Sequence, residues 1–309
     1  MKIIKINEKQ AKERIDKALA GIITELSRSQ IQKLIKEGKV LVNNSPASAH
    51  YTLKDGDKVT INKKKDKKEN IKEKLKEAPV VPIIAETGDY LVVDKPAGLI
   101  THSAGHIKKF TLADIMIEKY PGIKKVGDDP LRPGIVHRLD KEASGLMVIA
   151  KNQKFFDWVK KQFQDRKVEK KYIALVYGPA EKEEDVIDFP IERSAAGHKM
   201  AAKPKNQGGK PAVTELKLIK QFINYTLLEA KIKTGRTHQI RCHLAAWGHP
   251  IVGDDLYGTK KTRERNQKLG LGRIFLSAVR LGFDDLSGER KIFEIDIPPK
   301  LKEVLEKIK

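Results

Sequence analysis

Residues 132–146 read Arg-Pro-Gly-Ile-Val-His-Arg-Leu-Asp-Lys-Glu-Ala-Ser-Gly-Leu and run directly into an apolar stretch, Leu146–Ala150. An apolar run of this length predicts a buried strand. The charged His-Arg-Leu-Asp segment beside it is unusual, because an aspartate so close to a protein core is either paired or functional. We therefore expect Asp140 to be an ion-paired or a reactive carboxylate.

A second charged segment, residues 234–241, reads Thr-Gly-Arg-Thr-His-Gln-Ile-Arg and precedes the apolar run Leu244–Trp247. The pattern predicts a helix over Thr237–Trp247. Arg241 stands between Ile240 and Cys242 on this helix, so we expect its side chain to be half-buried and to need a carboxylate. Asp140 is the simplest partner.

The rest of this region predicts strands mixed irregularly with a few helices. The strands are expected at Tyr90–Val93, Lys171–Val176 and Tyr225–Ala230, and a further helix at Phe155–Phe163. Because strands and helices do not alternate regularly, the pattern favours an α+β domain with a mixed or antiparallel sheet over a doubly wound one. The sequence has no internal repeat, glycine-rich phosphate loop or dinucleotide fingerprint.

The first 62 residues predict a smaller module of short elements. Apolar residues recur at helical spacing from Ile15 to Leu26, and Ser29 with Gln32 predicts a capping box that opens a second helix, ended near Gly38. Short strands are predicted at Val40–Val42 and Val59–Ile61. We expect one basic face on this module, formed by Arg14, Lys17, Arg28, Lys33 and Lys36.

The charge of the chain indicates a polyanionic partner. The 309 residues include 62 Lys and Arg against 41 Asp and Glu, a net charge of +21. Residues 1–76 alone hold 20 basic and 10 acidic side chains. Such an excess is typical of proteins that bind nucleic acid and, less often, anionic lipid.

Composition and charge also predict the domain boundaries. Hydrophobic residues make up 39% of the chain, as in globular proteins, which excludes a wholly disordered or collagen-like chain. No apolar run approaches the roughly 20 residues of a membrane-spanning helix. Residues 63–82 form a lysine-rich stretch with prolines at its end, so we predict a linker there, either a solvated spacer or a basic strap for phosphates. The domains are then residues 1–62 and 83–309.

Cysteine and histidine usage bears on compartment and metal binding. A single cysteine, Cys242, cannot form an internal disulfide, and the first twenty residues lack the apolar core of a signal peptide, so we expect a cytoplasmic protein. His238, His243 and His249 do not follow a metal-binding spacing. We therefore expect no metal site.

The segment 132–146 resembles the signature of pseudouridine synthases that modify large-subunit ribosomal RNA. Residues 94–98 (Asp-Lys-Pro-Ala-Gly), 234–241 and 248–254 are similar to further motifs of that family, in the same order, and the likeness spans about 90–282. Residues 13–62 resemble the alpha-L RNA-binding domain, named for ribosomal protein S-four, although a generic basic helical cap fits the short motifs as well. The whole architecture is similar to the ribosomal large subunit pseudouridine synthase D type.

This resemblance implies the isomerisation of uridine to pseudouridine in RNA, without a cofactor, and it implies roles for five residues. Asp140 would be the catalytic carboxylate and Arg241 its bidentate partner. Tyr172 would stack on the target base, Arg138 would enter the space left by a flipped nucleotide, and Leu276 would pack beside the pocket. Ser277 stands where the family usually has a histidine.

Three functions fit these features. The first is a synthase acting on 23S-type ribosomal RNA or a large-subunit precursor. The same chemistry on transfer RNA is the second, and a non-catalytic RNA-binding factor for ribosome assembly is the third. For the chemical step, Asp140 could attack the sugar, attack the base, or remove a sugar proton to give a glycal; we expect the glycal route from the resemblance. Apart from the resemblance, Asp140 would more often be a structural carboxylate and Tyr172 a core residue.

Overall fold

A computed structural model describes residues 2–8, 10–23, 26–61, 78–103, 110–194, 197 and 199–308. The chain divides into a first unit, residues 1–76, and a second unit, residues 77–309. Most of the predicted linker, residues 63–77, lies outside the described residues, so its role as spacer or strap stays a prediction.

In the described part of the first unit, two short helices pack with a small sheet. Helix α1 (Ile15–Ile22) begins where the apolar repeat begins, and α2 (Arg28–Lys36) follows it. The predicted capping box was misplaced by two residues. Ser27, not Ser29, accepts the backbone N–H of Gln30, whose side chain in turn accepts the N–H of Ser27. Gln32 instead donates to Asp16.

The sheet of the first unit has four antiparallel strands in the order β1-β4-β2-β3. Their bounds are Lys2–Lys5 (β1), Val40–Val42 (β2), Ser45–Pro46 (β3) and Lys58–Ile61 (β4). Helix and sheet residues such as Ile15, Leu19, Ile31 and Val59 are fully buried together. Each buried apolar side chain of this size contributes roughly 1.5–3 kcal/mol, which supports a core in a unit this small.

In the described part of the second unit, nine strands form one sheet. Its strands are β5 (Ile83–Glu86), β6 (Tyr90–Lys95), β7 (Ser144–Ala150), β8 (Glu169–Tyr177), β9 (Glu184–Ile187), β12 (Thr214–Gln221), β13 (Tyr225–Ile232), β14 (Leu276–Asp284) and β15 (Arg290–Glu294). The order is β5-β6-β7-β14-β8-β13-β12-β9, with β15 paired to β14. A separate ribbon pairs β10 (Ile191–Arg193) with β11 (Met200–Ala202).

The sheet is mixed, because β7 and β14 are parallel while the other pairs of described strands are antiparallel. This confirms the predicted α+β class.

The central strand β7 explains the uninterrupted apolar run that the sequence shows. All seven of its residues are buried, and their alternation divides them between two cores. Met147 and Ile149 belong to one core, and Leu146 and Val148 to the other. A strand covered on both faces needs apolar residues at every position.

Helices cover both faces of this sheet. They are α3 (Leu112–Lys119), α4 (Gln153–Gln164), α5 (Gln239–Ala246), α6 (Lys260–Leu269) and α7 (Pro299–Lys307), with a 3₁₀ turn at Pro121–Lys125. Helix α4 confirms the helix predicted at Phe155–Phe163. Helix α5 starts two residues later than predicted, because His238 has a left-handed backbone (φ 54°) that cannot continue a helix.

The backbones of β7 and β14 lie very close together at Gly145. Gly145 has φ 118°, and a Cβ there would lie 2.2 Å from the carbonyl oxygen of Ala278. Glycine is therefore required at this position. Next to it, the hydroxyls of Ser144 and Ser277 lie 3.0 Å apart in the core. Ser277 thus belongs to the packing between the two strands.

Candidate active site

The loop that carries Asp140 is fixed to the neighbouring strand and helix by His137. The backbone N–H of Val148 donates to Nε2 of His137 over 3.1 Å, and the imidazole stacks on Phe163 with ring centroids 4.6 Å apart. Burial, together with nearby Lys170, lowers the pKa of His137 to about 3, so the ring is neutral and remains an acceptor. His137 is therefore a structural histidine of this loop.

The turn after β6 also supports the loop that carries Asp140. Lys95 is fully buried, and its Nζ donates to the carbonyls of Pro96 (2.9 Å) and Leu99 (2.8 Å). The N–H of Gly98 donates to the carbonyl of Lys141 over 2.7 Å. Burial lowers the pKa of Lys95 to about 7. The Asp-Lys-Pro-Ala-Gly segment thus supports the backbone immediately after Asp140.

Arg241 lies at the centre of the site and is 4% exposed. Its bidentate partner is Asp254, with Nε–Oδ2 at 2.7 Å and Nη2–Oδ1 at 3.0 Å. The expectation that Asp140 is the bidentate partner was therefore wrong. The remaining nitrogen, Nη1, donates to Oδ2 of Asp140 over 3.3 Å, so the two residues are in contact through one hydrogen bond.

The carboxylate of Asp254 is also held in place by backbone hydrogen bonds. Its Oδ1 accepts the backbone N–H groups of Leu256 and Tyr257, each over 3.1 Å. The guanidinium also lies 5.3 Å from the centre of the Tyr257 ring, a cation–π contact. Arg241 is thereby held on two sides, which leaves one edge of its guanidinium for Asp140.

Three carboxylates surround this one arginine. Besides Asp254 and Asp140, Oε2 of Glu142 lies 3.7 Å from Nη1. Burial alone would lower the pKa of Arg241, but the hydrogen-bonded Asp254 and the other acids outweigh it and raise that pKa. The guanidinium is therefore a permanent cation beside Asp140.

His238 completes the contacts of Asp140. Its Nε2 lies 4.0 Å from Oδ1 of Asp140, and its Nδ1 lies 3.1 Å from the hydroxyl of Tyr257. Burial lowers the pKa of His238, so the ring is neutral at neutral pH and makes no ion pair with Asp140. The left-handed backbone of His238 is strained for a residue with a Cβ, a feature that often occurs at functional sites.

One cleft brings together all five residues that the sequence assigned to the site. Arg138, Asp140, Tyr172, Arg241 and Leu276 line it together. Arg138 is exposed, Tyr172 and Leu276 are buried, and the side chain of Asp140 is 13% exposed. Burial, with Asp140 nearby, raises the pKa of Tyr172, so its hydroxyl is protonated at neutral pH.

The five basic residues predicted for RNA binding lie in the first unit, and two of them are tied to a buried acid. Arg14 and Arg28 both pair with Asp16 at 3.1 Å, and the side chain of Asp16 is fully buried. Burial would raise the pKa of Asp16, but hydrogen bonds from Gln32 and the two arginines outweigh it and hold the pKa at about 2. Lys17 pairs with Glu13 over 3.5 Å, while Lys33 and Lys36 are exposed in the last turn of α2.

Sequence reasoning missed the roles of Asp16 and Asp254. Asp254 stood in a motif that had been singled out, but only as its last letter. Asp16 stood between Arg14 and Lys17, and helical spacing gave no sign that it points inward. In both cases the signal is an acid within reach of a predicted functional arginine.

The three histidines considered for metal binding have other partners. His243 meets Thr214 and the carbonyl of Phe189, each at 2.9 Å, and His249 meets the carbonyl of Tyr177 at 2.9 Å. Among the residues that the structure describes, no group of three or more His, Cys, Asp or Glu side chains is arranged to hold a metal.

Within the same described ranges, no helix has the length and apolar character needed to cross a membrane.

Comparison with known proteins identifies the family. The family model for RNA pseudouridylate synthase matches residues 89–246, and the S4 domain model matches residues 13–65. The uncharacterized RNA pseudouridine synthase YlyB of Bacillus subtilis is 36% identical over 99% of this chain and 97% of its own. The ribosomal large subunit pseudouridine synthase D of Zymomonas mobilis is 33% identical over 94% of this chain and 92% of its own.

A solved structure agrees with these sequence matches. Human RNA pseudouridylate synthase domain containing 1 superposes with a TM-score of 0.60 at 26% identity, over 73% of this chain and 87% of the human one. The chain belongs to the RNA pseudouridine synthase family, which confirms the predicted enzyme class, an isomerase. It carries an N-terminal S4 domain, so RNA is its substrate and partner.

Proposed function

We propose that this enzyme converts uridines of large-subunit ribosomal RNA to pseudouridine, with Asp140 as the catalytic carboxylate. The observation that carries the assignment of Asp140 is its contact with Arg241 in a cleft shared with Tyr172 and Leu276. A carboxylate that accepts a hydrogen bond from a buried guanidinium can act as a base or a nucleophile.

The reaction moves the glycosidic bond of uridine from N1 to C5 of the base. The N1–C1′ bond breaks, the base turns over, and a C5–C1′ bond forms before the proton on C5 leaves. In the route we expect, Asp140 removes the 2′ proton as the N1–C1′ bond breaks, which gives a glycal and a uracil anion. The protonated Asp140 returns this proton to C2′ when the C5–C1′ bond forms, and the proton on C5 then passes to solvent. Tyr172 stacks on the detached base and keeps it in the cleft, and Leu276 closes the apolar side.

Extraction of the nucleotide is assigned to Arg138. This exposed arginine borders the cleft and can fill the space that a flipped nucleotide leaves in the RNA. An unpaired uridine costs least to extract, so we expect target sites in loops.

Ribosomal RNA is proposed as the substrate on two grounds. Relatives from Zymomonas mobilis and Vibrio parahaemolyticus, matched over 94% and 100% of this chain, are named ribosomal large subunit pseudouridine synthases D and C. The S4 domain adds a basic surface, which we assign to Arg14, Lys17, Arg28, Lys33 and Lys36. Because phosphate binding releases counterions from the RNA, the affinity of this surface for RNA depends on the salt concentration.

Tritium release from RNA labelled at C5 of uridine tests the catalytic role. We expect Asp140→Asn to lower the rate by a factor on the order of 10³ or more, as for loss of an essential acid–base group. The unfolding temperature should change little, because Asp254 still holds Arg241. Asp255→Asn, an exposed neighbour of that pair, is the matched control. Retained activity in Asp140→Asn would remove this residue from the chemical step.

Mapping pseudouridine in total RNA, with and without the gene, tests the substrate. Loss of one or more sites in 23S-type RNA is expected. Loss in transfer RNA alone would move the activity to that substrate. If every pseudouridine remains and Asp140→Ala has no phenotype, the protein acts as an assembly factor.

A kinetic isotope effect at the 2′ hydrogen of the target uridine is expected for the glycal route.

A further inference from the structure

A strongly basic cavity adjoins the candidate active site, and most of its lysines and arginines have no part in the chemistry described above. It measures about 470 Å³ and shares Arg138 and Tyr172 with the cleft of Asp140. Among the described residues that line it, none is aspartate or glutamate and seven are lysine or arginine: Arg132, Arg138, Lys160, Arg166, Lys170, Lys233 and Arg236.

The local acids compensate only part of this charge. Arg132, Lys160 and Lys233 pair with Asp129, Asp128 and Glu215. For the other four, no carboxylate lies within 4.0 Å among the described residues. A cavity with four uncompensated cations is suited to an anion.

Lys170 is the most unusual of the four. It is only partly exposed, its Nζ lies 5.4 Å from the centre of the Phe163 ring, and burial lowers its pKa to about 8. A cation that is partly withdrawn from water without a carboxylate partner costs free energy on folding. A negatively charged ligand bound beside Lys170 offsets this cost.

Strand register places Lys170 beside the reaction site. Lys170 and Tyr172 are two residues apart on β8, so their side chains emerge on the same face of the sheet. Lys171, between them, faces the other way and pairs with Glu229 at 3.0 Å. The cation and the proposed stacking tyrosine therefore border one continuous surface.

We propose that this basic cavity binds a backbone phosphate of the RNA next to the target uridine, with Lys170 as its anchoring residue. The proposal rests on the function proposed above and extends it by naming a substrate-binding residue that contacts the backbone. Arg166 and Arg236 supply further charge around the same phosphate. With the phosphate held there, the neighbouring sugar and base are directed past Tyr172 towards Asp140.

The test compares Lys170→Met with Lys171→Met in the full-length protein. The probe is an RNA hairpin with three unpaired uridines, bound at several salt concentrations. We expect Lys170→Met to raise Kd about tenfold, the loss of one charge-assisted hydrogen bond. The slope of log K against log salt should shrink by about 0.7, the value for one single-strand phosphate contact. Lys170→Arg should restore most of the affinity, and Lys171→Met should bind like the wild type.

Thermal unfolding separates binding from folding. Removal of a partly buried cation that has no carboxylate partner should leave the unfolding temperature of Lys170→Met unchanged or higher. A lower unfolding temperature with unchanged Kd and salt slope would make Lys170 a structural residue and overturn the proposal. Equal loss of affinity in Lys170→Met and Lys171→Met would overturn it as well.

The binding measurement does not depend on turnover. If the wild type forms no pseudouridine, the function proposed above fails while the Kd comparison still stands. If turnover is normal and Lys170→Met binds RNA as tightly as the wild type, only the phosphate site fails.

Discussion

The buried pair of Arg241 and Asp254 gives the sharpest prediction. Asp254→Asn is nearly isosteric and keeps an oxygen for the backbone N–H groups of Leu256 and Tyr257. Its amide nitrogen, however, would face an N–H of the guanidinium, so one of the two hydrogen bonds at 2.7 and 3.0 Å is lost together with the charge.

Removing one partner of a buried ion pair costs roughly 3–5 kcal/mol. We expect the lower end, about 3 kcal/mol, because Asp140 and Glu142 remain 3.3 and 3.7 Å from Nη1. For a unit of residues 77–309, each kcal/mol shifts the unfolding temperature by about 2–4 °C. Asp254→Asn should therefore unfold about 6–12 °C below the wild type.

The same substitution should slow the reaction. Arg241 would be free to move towards Asp140 and Glu142, and a displacement near 1 Å in a catalytic group costs up to about 10²-fold in rate. We expect a loss between tenfold and a hundredfold at 25 °C, smaller than for Asp140→Asn, measured by tritium release from C5-labelled RNA.

Two controls make the result specific. Asp255→Asn changes an exposed neighbouring carboxylate that accepts from Asn266 over 2.8 Å, so it should shift the unfolding temperature by less than about 2 °C. On an Arg241→Met background, Asp254→Asn should cost much less than in the wild type, because the two residues are coupled. An Asp254→Asn enzyme with wild-type unfolding temperature and full activity would refute the reasoning.

Two further substitutions test the frame around the site and the first unit. Gly145→Ala should destabilise the second unit by on the order of 3 kcal/mol, because its Cβ would meet the backbone of Ala278 at 2.2 Å with φ 118°; an unfolding temperature within 2 °C of the wild type contradicts this. Asp16→Asn should destabilise α1 by about 1–3 kcal/mol, since it loses the charged hydrogen bonds that Asp16 accepts from Arg14 and Arg28. In the wild type the Asp16 contribution is complete above the ordinary aspartate pKa and is lost as pH falls through about 2; amide NMR signals of residues 15–22 that show no loss as the pH falls towards 2 count against it.

Much of the fold was visible in the sequence because its signals are local. The apolar run of β7 marks a strand buried on both faces, and the pattern around Phe155 marks α4. The start of α5 was not visible in this way. A helical pattern continues through His238, but the backbone there turns left-handed where the side chain approaches Asp140 and Tyr257.

The partner of Arg241 was mispredicted for a related reason. Periodicity shows that an arginine faces the interior, but it does not rank the acids that could reach it. Asp254 is brought to the arginine by the turn at Gly253, where φ is 83° and a Cβ would lie 2.0 Å from the carbonyl of Arg273. The position of this turn depends on tertiary packing. The sequence therefore predicted the contact between Asp140 and Arg241, but not that Asp254 would bind the arginine more closely than Asp140 does.

The distribution of charge across the site suggests why the two cavities belong together. Three carboxylates, Asp140, Glu142 and Asp254, lie within 4.0 Å of Arg241, so this group of side chains carries a net negative charge and disfavours a phosphate next to Asp140. The adjoining cavity around Lys170 is positive throughout. A nucleotide that enters both cavities is therefore oriented by charge. Its anionic backbone favours the side of Lys170, and its uncharged base and sugar favour the side of Asp140. Arg138 lies at the boundary between the two cavities, so its charge should matter for this orientation. We expect Arg138→Glu, which reverses the charge, to weaken binding of an RNA hairpin more than Arg138→Gln, which removes it. Equal effects of the two substitutions would show that Arg138 acts by shape alone.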